Sequence, residues 1–253
     1  SIDPTSVHIS ADGTSLAATA TAIGATAPPQ VMRSAMLVVD ISGSMQGAGL
    51  DGAKQAAAAF LSAVPADVRV GLITVSTTAS LITAPTTDRT LVRDRVAALQ
   101  ATGNTALYDG TLLALQTLGA TGSRTIVLLT DGHDEGSKSS LPDVVSALHN
   151  SHGAVLDAVS FGTASAQVAP LREMTTAAGG RILATTQAGD FAAAFRQAAQ
   201  DIATEVLVTA TVPPALAGRS VTVRVTALAG KTTITDTAFL PLAANCSITA
   251  NLF

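Results

Sequence analysis

The chain has 253 residues, of which 47% are hydrophobic and 13% charged, with a formal net charge of -4. That balance supplies apolar side chains for a sizeable core, excludes a disordered polyelectrolyte and leaves no basic footprint for nucleic acid. The single cysteine, Cys246, excludes an internal disulfide, no apolar run is long enough to cross a membrane, and Ser1-Ile2-Asp3-Pro4 has neither the basic start nor the apolar core of a signal peptide.

From the N-terminus, Val7 and Ile9, then Leu16, Ala18 and Ala20, alternate around Asp12-Gly13, a hairpin signal. Met36 to Ile41 reads as a buried strand, and Leu50, Ala53, Ala57, Phe60, Leu61 and Val64 follow at helical spacing until Pro65 stops the pattern. Val68 to Val75 predicts a second strand, Ser80 to Thr83 a short edge strand, and Asp88 to Leu99 a helix. Leu107, Thr111, Leu115 and Leu118 share one face of another helix, which opens just after Thr105. Thr125 to Thr130, nearly pure Ile, Val and Leu, reads as a central parallel strand. Ser140-Leu141-Pro142-Asp143 resembles a capping box and opens a helix that buries Leu141, Val144, Val145 and Leu148. A strand over Ala154 to Phe161, a helix over Val168 to Ala178 ended by Gly179-Gly180, and a short strand over Arg181 to Ala184 follow. A last helix is capped by Asp190 and carries Phe191, Phe195, Ala198 and Ile202 on one face. The pattern then returns to period two at Val206, Val208, Ala210 and Val212, at Val221, Val223 and Val225, and from Thr232 to Leu240, punctuated by Pro213-Pro214, Gly218 and Gly230.

Alternating strand and helix signals predict an α/β fold over residues 31–204, a doubly wound, mostly parallel sheet with helices on both faces. Neither flank has enough strands to bury a core alone. Residues 1–30 and 205–242 are therefore expected to pair into a small β-sandwich, with the α/β domain inserted between them. Residues 243–253 carry no clear pattern and are expected to form a loose tail.

Three polar segments stand out: Asp40-Ile41-Ser42-Gly43-Ser44, Gly103-Asn104-Thr105 and Thr130-Asp131-Gly132. The first and third directly follow predicted strands. In an open α/β sheet the carboxyl ends of the strands converge on one crevice, so residues far apart in sequence meet there. Asp40, Ser42, Ser44, Thr105 and Asp131 would bring together two carboxylates and three hydroxyls. These hard oxygen donors suit Mg2+ or Mn2+ and argue against zinc or copper. In a loop leaving a strand alternate side chains can face one way, which would aim Asp40, Ser42 and Ser44 at one point, and Gly43 permits the tight bend between the serines. Each segment alone has a plainer reading as a helix cap or a turn; the five positions together, in this order, outweigh it.

The same five positions resemble a von Willebrand factor A-type domain with an intact metal-ion-dependent adhesion site, over roughly residues 31–204 and including the order of elements. The resemblance implies that Ser42, Ser44 and Thr105 bind the metal directly and that Asp40 and Asp131 hold it largely through waters. It implies Mg2+ as the cofactor, with Mn2+ or Ca2+ as substitutes, and a protein partner whose Asp or Glu takes the open coordination position. Gly43, Met45, Asn104, His133, Asp134 and Glu135 form the expected partner-binding rim, and Asp109 is expected to support the Thr105 loop. The implied function is a non-enzymatic adhesion or assembly module. The Ala/Thr-rich, Lys-poor composition resembles that of actinobacterial proteins, in which similar domains are extracytoplasmic parts of membrane proteins linked to pili or secretion. That resemblance implies an extracytoplasmic or cell-surface location.

Other readings use the same residues. A metal-dependent hydrolase could recruit His133 as a base beside the ion, and a cytoplasmic assembly factor could dock through the same site. Gly47-Ala48-Gly49-Leu50-Asp51-Gly52 matches a dinucleotide pattern, but Ser42 to Gln46 separate it from its strand, and Thr74-Val75-Ser76 supplies no acid for a ribose. An aspartyl-phosphate phosphatase would want a second acid two residues after Asp40, where Ser42 stands.

Overall fold

The computed structural model describes residues 2–22, 32–132, 134–151, 153–161, 165–185, 190–203, 206–241 and 247–252. They divide into two compact units, Pro29–Gln200, and Ser1–Pro28 together with Asp201–Phe253. Among the described residues no helix is long and apolar enough to cross a membrane.

In chain order, β1 (Ile2–Ala11), β2 (Thr14–Leu16) and β3 (Ala18–Ala22) come first. The α/β unit follows with β4 (Arg33–Asp40), α1 (Ala48–Ala63), β5 (Arg69–Val75), β6 (Ala79–Thr86), α2 (Arg89–Ala97), α3 (Leu107–Leu118) and β7 (Ser123–Thr130). It is completed by α4 (Leu141–Asn150), β8 (Ala154–Phe161), α5 (Ser165–Ala177), β9 (Ile182–Thr185) and α6 (Phe191–Ala203). The last strands are β10 (Val206–Thr211), β11 (Ser220–Ala229), β12 (Thr232–Pro241) and β13 (Ser247–Leu252).

The α/β unit is built on a six-stranded sheet in the order β6-β5-β4-β7-β8-β9. All neighbours are parallel except the edge pair of β5 with β6. Every residue of β4 and of β7 is buried, as a strand covered on both faces requires. Met36, Val38, Ile126 and Leu128 share one core with Leu107 and Ala114 of α3, Val144 and Leu148 of α4, and Leu171 and Met174 of α5. The alternate row, Leu37, Val39, Val127 and Leu129, is equally buried; the pleat turns it to the opposite face. Phe60 of α1 and Phe195 of α6, both fully buried, meet edge to face with ring centroids 6.3 Å apart. The expected α/β architecture is thus observed. The edge strand β6 is longer than Ser80 to Thr83 suggested, because pairing with β5 extends it to Thr86.

Helix ends follow local chemistry. The Asp88 carboxylate accepts the Leu91 amide at 3.0 Å and opens α2. Asp143 reaches back to accept the Ser140 amide at 2.8 Å and opens α4.

In the strand order of the unit, the direction of winding reverses between the parallel strands β4 and β7: β5 lies on one side of β4, and β8 on the far side of β7. A crevice forms where such a reversal occurs, outside the carboxyl ends of the two strands. Asp40 closes β4 and Thr130 closes β7 at that place.

The other unit contains an antiparallel four-stranded sheet, β12-β11-β1-β2, and an antiparallel three-stranded sheet, β13-β10-β3. Ile9, Ala11, Leu16, Val206, Val208, Ala210, Val221, Val223 and Val225 from both sheets share one core. Asp12 and Gly13, with φ of 47° and 80°, make the two-residue turn between β1 and β2. The run expected as one strand from Leu16 to Ala20 is divided. Leu16 pairs with Ile9 in one sheet, and Ala18 pairs with Ala210 in the other. The expectation of a loose tail over 243–253 is corrected: residues 247–252 form β13, paired with β10 from Thr211↔Ser247 to Val206↔Leu252. An open edge of β10 supplies the hydrogen-bonding groups that order this segment.

Candidate functional site

Asp40 is fully buried, and its carboxylate is held from two sides. Its Oδ1 accepts the Ser42 amide at 2.8 Å, and its Oδ2 accepts the Thr130 hydroxyl at 2.6 Å. Beyond it, residues Gly43–Met45 form one 3-10 turn. The Ser42 and Ser44 hydroxyl oxygens lie 3.0 Å apart, and the Ser44 hydroxyl donates to Asp131 Oδ1 at 3.0 Å. Three of the five expected oxygens are thus joined at the crevice mouth, with Asp40 directly behind them.

Thr105 arrives from a loop stitched to both neighbours. The Gly43 amide donates to the Gly103 carbonyl at 2.9 Å and the Thr102 amide to the Ile41 carbonyl at 2.6 Å. Ser76 Oγ donates to the Thr102 carbonyl at 2.8 Å, and the Ala106 amide donates to the Ser76 carbonyl at 2.8 Å. On the other side the Glu135 and Gly136 amides donate to the Thr105 carbonyl at 2.8 and 3.1 Å. The resulting crevice of about 240 Å³ is lined by Ser42, Ser44, Gly103, Asn104, Thr105, Asp131, Gly132 and Glu135.

Burial pushes the Asp40 carboxyl above the usual carboxylate range, against the pull of the Thr130 and Ser42 hydrogen bonds, and the charge of Asp131 adds to the rise. Burial also raises Asp131; the Ser44 hydroxyl opposes the rise and the charge of Glu135 reinforces it. Two carboxylates crowded in this way are an arrangement that a cation would relieve.

The donor set can be tested against a hard divalent ion. Among the described residues no three His, Cys, Asp or Glu side chains gather in metal-binding range, so an ion here must depend on hydroxyls. An octahedral Mg2+ shell with bonds of about 2.0–2.1 Å has adjacent ligand oxygens about 2.9 Å apart. The 3.0 Å separation of the Ser42 and Ser44 hydroxyls matches that edge, and Asp131, held 3.0 Å from Ser44, lies beside the pair as a balancing charge. The residues fit the ion.

The expected rim is partly corrected. Asn104 and Glu135 do line the crevice. Met45 does not, because the 3-10 turn carries its side chain inward and leaves it fully buried. Gly43 is exposed, and its amide is committed to Gly103. Asp134 instead serves α3, whose N-cap residue Ala106 has no side chain to cap with. The Asp134 carboxylate accepts the Tyr108 amide at 3.1 Å and the Ser137 amide at 3.2 Å, and Ser137 Oγ accepts the Asp109 amide at 3.0 Å. Asp109 returns the support by accepting the Lys138 and Ser139 amides, both at 3.0 Å, so it holds the loop after β7, not the Thr105 loop. His133 lies outside the described residues. Ser76 was given no role at the site from the sequence, and Thr130 and Gly132 stood out only as the flanks of Asp131. Their signal was slight: a polar residue closing an apolar strand, and small residues in the turns beside it.

Residues 35–133 match the family model described as von Willebrand factor type A domain. Among curated relatives, UPF0353 proteins of Mycolicibacterium gilvum and Nocardia farcinica are each 29% identical, over 51% and 53% of this chain and 44% and 47% of their own length. The chain thus spans less than half the length of these curated relatives, which are actinobacterial. Among solved structures, a von Willebrand factor type A protein from Catenulispora acidiphila superposes with a TM-score of 0.63 at 16% identity, covering 96% of this chain and 74% of that one. The vWF domain of the type V pili tip protein Mfa5 from Porphyromonas gingivalis gives 0.55 at 15% identity, covering 68% and 95%. An aerotolerance-related membrane protein from Bacteroides fragilis gives 0.52 at 19% identity, covering 66% and 98%. The sequence match over residues 35–133 and the strand order together identify the α/β unit as a von Willebrand factor type A domain.

Proposed function

We propose that the crevice is a metal-ion-dependent adhesion site and that the domain captures proteins through it. The observation that carries this reading is the run of oxygens from Ser42 through Ser44 to Asp131, spaced at 3.0 Å over a buried Asp40. Ser42, Ser44 and Thr105 would offer hydroxyl oxygens to Mg2+, and Asp40 and Asp131 would supply the balancing charge. When bound, the ion would supply an electrophilic position for a carboxylate. With two acids against a divalent charge, and neutral hydroxyls in contact, the ion keeps its preference for an external Asp or Glu. Asn104 and Glu135 would meet the flanks of that partner residue.

The proposed role is binding without turnover. It extends to an extracytoplasmic or cell-surface location, supported by the actinobacterial relatives and by fold neighbours described as a membrane protein and a pilus tip protein. The test is calorimetric titration of the whole chain, first with Mg2+ or Mn2+ and then with a glutamate-containing peptide. The expected result is metal binding, peptide binding that disappears in EDTA, and loss of both in Asp131→Ala. Peptide binding that survives EDTA would overturn the adhesion reading.

A further inference from the structure

We infer that Thr130 is a positioning residue of the metal site, one that fixes the separation of its two acids without touching the ion. The inference rests on the metal-binding reading above.

Thr130 and Asp40 are both fully buried, at the ends of adjacent parallel strands. A threonine hydroxyl has one proton to donate. Two acceptors are in range, Asp40 Oδ2 at 2.6 Å and the Gly132 carbonyl at 3.3 Å. The shorter, charged acceptor takes the proton. The same oxygen accepts the Gly132 amide at 3.1 Å. One hydroxyl therefore grips the Asp40 carboxylate with its hydrogen and the Asp131-Gly132 turn with its lone pair. The Ser42 amide holds the other carboxylate oxygen of Asp40, so that side chain has a fixed plane. Asp40 and Asp131 come from segments about ninety residues apart, and this side-chain bond joins β4 to the end of β7.

Removing the hydroxyl while keeping the shape, as in Thr130→Val, leaves Asp40 Oδ2 buried without its donor. The Ser42 hydroxyl, which already acts on that carboxylate, is one that the ion needs. The site should lose its geometry before the sheet loses its packing, because Val fills the same space and favours a strand.

The experiment is Mn2+ titration of the full chain, wild type beside Thr130→Val, Thr130→Ser and Asp131→Ala, read by calorimetry and by the Mn2+ EPR spectrum. Melting in EDTA is recorded separately to report fold stability alone. The expected outcome is roughly 10–100-fold weaker Mn2+ binding in Thr130→Val, the range found when groups that orient metal ligands are removed. Thr130→Ser, which keeps the hydroxyl, should bind as wild type does. A merely structural role would lower the melting temperature in EDTA and leave Mn2+ affinity at low temperature unchanged, and that result overturns the inference. If Thr130→Val does not fold, Thr130→Cys, of similar size with a weaker donor, must bind Mn2+ less tightly than Thr130→Ser; equal affinities overturn the inference. Failure of the wild type itself to bind Mn2+ would instead remove the metal-binding reading.

Discussion

The amide of Gly43 donates to the carbonyl of Gly103 at 2.9 Å, and this bond joins the first two of the three segments that build the crevice. It is made possible by the conformation of Gly103, with φ of +76°, and by the absence of a side chain there. A Cβ at this position would press against the hydroxyls of Ser76 and Thr77 inside any normal contact distance. Gly103→Ala should therefore cost about 1–3 kcal/mol of stability in urea unfolding, combining strain with overpacking, and should weaken Mn2+ binding by displacing Thr105. Gly47→Ala is the control. Gly47 also has a positive φ, +81°, but a Cβ there meets nothing within 4 Å. It should show a cost of about 1–3 kcal/mol from backbone strain and unchanged metal affinity.

A ligand that binds only the folded state raises stability by mass action. At a hundredfold excess of Mg2+ over its dissociation constant the gain is about 2.7 kcal/mol, which for a unit of this size corresponds to a rise of about 5–10 °C in melting temperature. Differential scanning calorimetry should show that rise with Mg2+, its reversal by EDTA, and its absence in Ser42→Ala and Asp131→Ala. An identical rise in both variants would point to ion binding elsewhere.

Asp157 lies in β8, 6% exposed, and its Oδ1 accepts the Arg181 amide at 3.0 Å. Burial pushes its carboxyl above the usual range, against the pull of the Arg181 amide and charge. The folded state therefore holds the proton more tightly than the unfolded one. The stability that follows is fully present below the ordinary carboxylate range and is lost as pH rises through the raised folded value. Asp157→Asn keeps the acceptor and never ionises, so it should melt higher than wild type at neutral pH. The difference should close as the solution is acidified, in parallel thermal melts.

Phe60 and Phe195 cross at 83° and are both fully buried. Phe60→Ala should cost about 3–5 kcal/mol of stability, read from the midpoint of chemical unfolding. Mn2+ affinity should hold in the fraction that remains folded, since neither ring lines the crevice.

Much of the α/β unit was legible in the residues because β4 and β7 are buried throughout and so read as unbroken apolar runs. The ligand candidates were legible because Asp40 and Asp131 sit immediately at or after strand ends, where topology rather than local preference brings them together. What escaped was set by distant partners. Met45 looked like a rim residue until the turn at Gly43–Met45 sent it inward. Asp134 looked like part of a charged mouth, but the uncapped start of α3 drew it away. Residues 247–252 are ordered by pairing with β10, some forty residues earlier, and carry only a short alternation of their own.

The strands of the terminal unit are interleaved by origin: β1 lies between β11 and β2, and β10 lies between β13 and β3. Ile9 faces Leu16 on one side and Val225, more than two hundred residues later, on the other. During synthesis the α/β unit has all its strands by Thr185 and can collapse early. The N-terminal hairpin must wait, its apolar row unshielded, until the ribosome has delivered the segments that flank it. Chaperone dependence of the nascent chain should thus concentrate on residues 2–22, a stretch made before the α/β unit and completed only after it.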